Sequence, residues 1–298
     1  MSSMDSIKDR VSLRTRLYWW SRWANGPHVS AAPAIIIGGC FRSGTTLMRA
    51  MLDSHPNIAI GPESWLFVYR ADYRVLAEEY AMSDDDVYML CTSSTCLAHF
   101  IDQFFETYAD RMGKPRWGEK SPTNVLRLKY IWRHFPKAKF IHMIRDARDV
   151  VCSVVSQHER LRTDGFRIAD RSLKQRVAVW REYVAAGMRW RGDQRYVEVK
   201  YEDLVQAPRK TMEKVLDFLG EPWSDNVVRA HEVQRKHPHI TREVGTPEVR
   251  QPIFNSSVGR WRTELSERDA QRFWHRAGEL LQSLGYTLEC NDAAPPGR

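Results

Sequence analysis

Ala34-Ile35-Ile36-Ile37 is a short apolar run rich in β-branched residues and closed by Gly38-Gly39, the pattern of a strand buried on both faces of a parallel sheet. Leu47, Met48, Met51 and Leu52 then recur at helical spacing, predicting a helix over Thr45–Asp53. Lys139–Ile144 reads as a second clear strand followed by a helix over 147–157, and Tyr196-Val197-Glu198-Val199 as another. A shorter strand is expected at 58–60. Residues 64–112 read as helical, with Asp84-Asp85-Asp86 at a helix start, and helices are expected at 122–134, 171–191, 208–219 and 266–284. Residues 236–256, rich in Pro, His and Thr, lack periodicity and read as a long loop of the kind that often serves as a lid.

The order strand, glycine turn, helix within about 20 residues is that of a phosphate-binding βα unit. The predicted architecture is α/β: a single P-loop-like domain over 33–290, with a central parallel sheet flanked by helices. An N-terminal helix and linker, 1–32, precede it, and a disordered tail, 291–298, follows.

The 45 Lys and Arg against 37 Asp and Glu give a net charge of +8, which suits an anionic ligand. The charge is spread along the chain and not gathered in a tail, so nucleic acid is not expected as a partner. Cys40, Cys91, Cys96, Cys152 and Cys290 match neither a zinc pattern nor a disulfide framework and read as reduced thiols. No apolar run is long enough to cross a bilayer, and Lys8, Arg10, Arg14, Arg16 and Arg22 break up any secretory signal. The basic aromatic stretch Leu17-Tyr18-Trp19-Trp20-Ser21-Arg22-Trp23 reads as a helix whose tryptophans pack on the domain, with a membrane-surface role as the alternative.

Gly39-Cys40-Phe41-Arg42-Ser43-Gly44-Thr45-Thr46 has the Gly-x4-Gly spacing of a P-loop. Glycines let several N–H groups face one anion, and the helix from Thr45 adds its positive end. Ser43, Gly44, Thr45 and Thr46 are the expected phosphate donors. Thr45 stands where a nucleoside-triphosphate enzyme has Lys, the positive charge sits earlier at Arg42, and Arg145 follows the second clear strand in place of a magnesium-binding Asp. The loop suits a 5′-phosphosulfate or monophosphate without metal, and a P-loop nucleotide phosphotransferase or kinase is the alternative.

The stretch from Ile37 to Leu47, continuing through Met48-Arg49-Ala50-Met51-Leu52-Asp53-Ser54-His55-Pro56, resembles the 5′-phosphosulfate loop of sulfotransferases dependent on PAPS (3′-phosphoadenosine 5′-phosphosulfate). It is most similar to that of the tyrosylprotein sulfotransferases. The resemblance implies that Arg145 and Ser153 hold the 3′-phosphate, with Tyr201 near the nucleotide. It also implies that Ser257-Val258-Gly259-Arg260-Trp261-Arg262 closes over PAPS, reaching it through Arg260 or Arg262. Glu63 matches the family's catalytic Glu and is the expected general base, while Lys120 matches a Lys on the sulfonate and bridging oxygen, with Arg42 sharing the charge work. His55 and His142 are alternative bases for which structural roles are expected.

The expected reaction is in-line transfer of a sulfuryl group from PAPS to a hydroxyl, leaving PAP, without a metal. The acceptor is a protein tyrosine, a carbohydrate, a lipid or a small alcohol. The tyrosylprotein enzymes of the secretory pathway resemble one another in having cysteines where this chain has Gly61 and Glu119. With no N-terminal anchor, this points to a cytoplasmic enzyme.

Overall fold

A computed structural model describes residues 26–68, 73–160, 172–235 and 246–287. The 17–23 segment, residues 161–171, residues 236–245 of the expected lid, Cys290 and the tail lie outside the described residues.

Five parallel strands form one sheet in the order β2-β3-β1-β4-β5: β1 Ile35–Gly39, β2 Ile58–Ile60, β3 Arg116–Lys120, β4 Lys139–Ile144 and β5 Tyr196–Lys200. β1 sits at the centre, in register with β3 (Ile37 opposite Lys120) and β4 (Gly39 opposite Met143). Because side chains alternate across a strand, the apolar run of β1 feeds two cores. Ile35 and Ile37 face Met48, Met51 and Leu52 of the helix Thr45–Asp53, while Ile36 faces Phe100, Phe104, Trp180 and Phe273 of the opposite helical layer. Burial on both faces is why this strand reads as a continuous apolar run and not as an alternation.

The helices Thr45–Asp53 and Pro208–Leu219 follow the sequence pattern. The 64–112 stretch resolves into Tyr73–Glu79, Asp84–Ser93 and Leu97–Arg111, with Ser83 capping the acidic helix start through Asp86 N–H. Glu63–Val68 is not helical. The 122–134 segment is a 3₁₀ turn, Pro122–Arg127, followed by a helix, Leu128–His134. Within 236–256, Thr246–Val249 forms one helical turn.

β3 has no counterpart in the sequence-based expectation. Its residues, Arg-Trp-Gly-Glu-Lys, carry three charges, yet Gly118, Glu119 and Lys120 are buried between β2 and β1. Gly118 is what lets it fit: a Cβ there would lie 2.7 Å from Ile35 O and 2.8 Å from Ile60 Cγ1. The backbone oxygen belongs to the central strand and cannot yield cheaply. Gly118→Ala is therefore expected to destabilise the fold by about 1–3 kcal/mol in urea unfolding, and an unchanged midpoint would contradict this packing.

Candidate active site

Each strand ends at the same edge of the sheet, and each end delivers a residue singled out from the sequence. The loop carrying Arg42 follows β1, Glu63 follows β2, Lys120 ends β3, Arg145 follows β4 and Tyr201 follows β5. Ligands of open parallel sheets bind at this carboxyl edge, where the connections diverge.

The loop after β1 holds two residues in the left-handed region, Arg42 (φ 66°) and Gly44 (φ 92°). Gly44 is required twice over, because a Cβ there would come within 2.5 Å of the Tyr201 ring. A left-handed arginine costs about 1–3 kcal/mol and persists only where its surroundings enforce it. Ser43 helps to do so: its Oγ donates to Cys40 O at 2.6 Å. That hydroxyl locks the turn. The first N–H groups of the helix from Thr45 sit at the mouth of the loop, where a helix lacks internal acceptors.

Lys120 is fully buried, not a surface cation. Its Nζ donates to Glu63 Oε1 at 2.7 Å and to Thr46 Oγ1 at 3.2 Å, tying the ends of β3 and β2 to the phosphate loop. Burial pushes the ammonium down to about 8; Glu63 opposes this, and the buried Arg49 adds to it. The Glu63 carboxylate keeps 21% side-chain exposure, so it is reachable from solvent. Glu63 lies in the connection after β2, ahead of the helix Tyr73–Glu79.

A second group gathers around Arg145, itself only 4% exposed. Its guanidinium stacks on the Tyr201 ring at 4.3 Å and donates to Arg42 O at 3.1 Å and Ser257 O at 2.5 Å. Arg42 Nε donates to Ser153 Oγ at 3.0 Å, so Arg42 is engaged on the Ser153 side and not with Lys120. Burial lowers the Arg42 pKa, Glu248 opposes it, and the like charge of Arg145 lowers it further. Arg145 Nε is buried and has no partner among the described residues. Two crowded guanidiniums and an orphaned donor fit an anion with several acceptor oxygens, such as a phosphate.

Arg260 is held one helical turn beyond Ser153. It donates to Ser156 Oγ at 2.8 Å and pairs with Glu264 at 2.7 Å. Arg262 is exposed, with its guanidinium 4.9 Å from the Trp261 ring centre. Neither is shown in contact with Arg145 or Arg42.

The histidines are structural. His55 bridges Pro222 O and Asn57 N, and His142 is buried against the Tyr196 hydroxyl at 2.6 Å, its pKa pushed down to about 4 by burial. Sequence reasoning missed the role of Asp149. Its carboxylate accepts Gly259 N–H at 2.7 Å and Trp261 N–H at 3.0 Å, fastening the 257–261 strap onto the helix after β4. The Asp-x-x-Asp spacing in Asp146-Ala147-Arg148-Asp149 was the one available signal. Asp146 pairs with Arg148, which lies 3.8 Å from the Trp261 ring centre and braces the same strap.

The comparisons agree with this geometry. A family model described as Sulfotransferase family matches residues 33–225. The chain is 30% identical over 277 residues to the protein-tyrosine sulfotransferase of Drosophila melanogaster; the match takes in 87% of this chain but only 52% of that protein. In structure it resembles the sulfotransferase domain of the Synechococcus PCC 7002 olefin synthase, with a TM-score of 0.65, 22% identity, and coverage of 90% of this chain and all of that one. It also resembles mouse sulfotransferase SULT7A1 complexed with PAP, with a TM-score of 0.53, 13% identity and 86% of each chain covered.

The strap makes one direct prediction. A hydrogen bond to a charged acceptor contributes about 1.5–3 kcal/mol. Asp149→Ala should therefore raise amide exchange at Gly259 and Trp261 by about 10- to 150-fold, leaving β1 and β4 protected. Unchanged exchange at those two amides would show that the strap is held by other means.

Proposed function

Since the chain belongs to the sulfotransferase family, we propose that it transfers the sulfuryl group of PAPS to a hydroxyl oxygen. The observation that carries this reading is the pair formed by buried Lys120 and partly exposed Glu63, set against the phosphate loop. It places a proton acceptor and a cation side by side where the β1, β2 and β3 connections meet.

In this reading the phosphate loop and the Arg145 group hold the two ends of the nucleotide, and the Tyr201 ring lines the space between them. The acceptor oxygen bonds to sulfur as the bond from sulfur to the 5′-phosphate oxygen breaks. The acceptor proton passes to Glu63, and PAP leaves with the bonding pair. Lys120 holds the Glu63 carboxylate in place through its hydrogen bond and sets its positive charge against the charge that grows on the leaving phosphate oxygen. Little covalent work falls to the protein, so positioning and charge supply the catalysis.

The mouse structural neighbour, complexed with PAP, supports PAPS as the donor. The name of the Drosophila relative supports a tyrosyl hydroxyl as the acceptor. So do the aromatic side chains beside the base: Trp65, two residues beyond Glu63, stacks near Phe41, which in turn packs on Tyr183. The phosphotransferase alternative is disfavoured, because the lysine of this site arrives from β3 and not from the loop. A reducing compartment belongs to the same proposal, supported by Cys40, Cys91, Cys96 and Cys152, all buried free thiols.

The test is transfer of radiolabelled sulfur from PAPS to a tyrosine-containing peptide. Wild-type protein should label the tyrosine. Glu63→Gln should lose about 10²- to 10⁴-fold in turnover while PAP still raises its melting temperature. A variant with near-normal turnover would place the base elsewhere.

A further inference from the structure

Glu119 lies directly behind Lys120 and is fully buried. An acidic side chain in such a place needs compensation, and the structure supplies it entirely from donors. Glu119 Oε1 accepts from Ser64 Oγ at 2.8 Å and Ser121 Oγ at 2.6 Å, with Ser64 N–H at 3.4 Å; Asn124 Nδ2 donates to Oε2.

The direction of these bonds is fixed by what lies beyond them. Ser64 Oγ accepts Leu66 N–H at 3.2 Å, and Ser121 Oγ accepts Trp65 N–H at 3.0 Å, so each hydroxyl has its proton left for Glu119. Asn124 Nδ2 also donates to Ile37 O at 3.1 Å, a carbonyl that can only accept, which fixes the amide's orientation. Every partner is a donor, and only an ionised carboxylate satisfies them all. Burial pushes the Glu119 carboxyl up, while the Ser121, Asn124 and Ser64 hydrogen bonds pull it back toward the charged form.

These bonds run without a break from Ile37, at the root of the phosphate loop, to the backbone of Ser64, Trp65 and Leu66. Trp65 is held in the left-handed region at φ 59°, a strained state for an aromatic residue that its surroundings must enforce. The turn it makes directly follows Glu63.

We propose that Glu119 is a positioning residue for the reaction: its buried carboxylate fixes the Ser64–Leu66 turn and so holds Glu63 at Lys120 and the phosphate loop. This rests on the reading of Glu63 as the base. The ordinary alternative is a polar cluster that stabilises the fold and leaves Glu63 unaffected.

The two are separated by a double-mutant cycle together with amide exchange. Glu119→Gln keeps the shape but sets an amide N–H₂ against a donor on one side. It should lower kcat roughly 10- to 100-fold with PAP affinity unchanged. In a Glu63→Gln background the same change should cost less than about 3-fold more, because the two act through one step. Amides 64–66 should exchange faster in Glu119→Gln. Additive losses, or unchanged exchange at 64–66, would overturn the proposal. Should Glu119→Gln fail to fold, Ser121→Ala removes one donor only and carries the same readouts. If wild-type protein does not transfer sulfur from PAPS, the functional reading fails and the exchange experiment still decides whether Glu119 holds the turn.

Discussion

A lysine ammonium with no solvent exposure has to be matched by negative charge, and much of the site is arranged around that demand at Lys120. Glu63 meets it at 2.7 Å, and in doing so the end of β2 is drawn to the end of β3 and to Thr46 of the phosphate loop. Replacing a buried pair of this kind with apolar residues often leaves a fold as stable or more so, so stability alone does not account for it. Nearby, Arg42 crowds against Arg145, and burial together with that like charge lowers the Arg42 pKa. The edge of the sheet thus gathers three cations, Lys120, Arg42 and Arg145, around the mouth of the phosphate loop. Such a concentration of positive charge suits a polyanionic ligand.

The parallel sheet makes this concentration possible. All five strands run the same way, so all five carboxyl ends meet at one edge, and each contributes one chemical element of the site. The rest of the fold steadies these ends. Asp149 ties down the strap that carries Ser257, whose carbonyl receives Arg145. Trp180 Nε1 donates to Arg145 O, linking the helix Leu173–Met188 to the same turn. Glu202 accepts Asp146 N–H and the Tyr286 hydroxyl, bracing the β4 and β5 connections against each other.

What the sequence made legible follows from where each segment is buried. β1, β4, β5 and the helix Thr45–Asp53 carry the apolar runs and periodicities of elements whose side chains enter the two cores, so pattern alone locates them. The phosphate loop is legible because its glycine spacing is a backbone requirement. β3 was hidden because three of its five residues are charged, and its burial depends on partners 57 residues away in sequence, as at Lys120 and Glu63. The role of Glu119 gave no signal for a similar reason: its donor Ser64 lies 55 residues away in sequence, and Ser121 and Asn124 reach it only through the turn that follows β3. The left-handed Trp65 and the outward reach of Asp149 to Gly259 are tertiary facts with only faint local traces. The family resemblance supplied Glu63 and Lys120 where pattern could not.

Arg145 is proposed to read a second phosphate, apart from the one at the first N–H groups of the helix Thr45–Asp53. Calorimetric binding of PAP and of AMP to wild-type protein and Arg145→Ala tests it most directly, since both nucleotides share the 5′-phosphate and only PAP carries the 3′-phosphate. A charge-assisted contact of about 1.5–3 kcal/mol predicts that the substitution weakens PAP by about 10- to 150-fold and leaves AMP nearly unchanged. Equal losses for the two nucleotides would contradict the division of the site into two anion-binding halves.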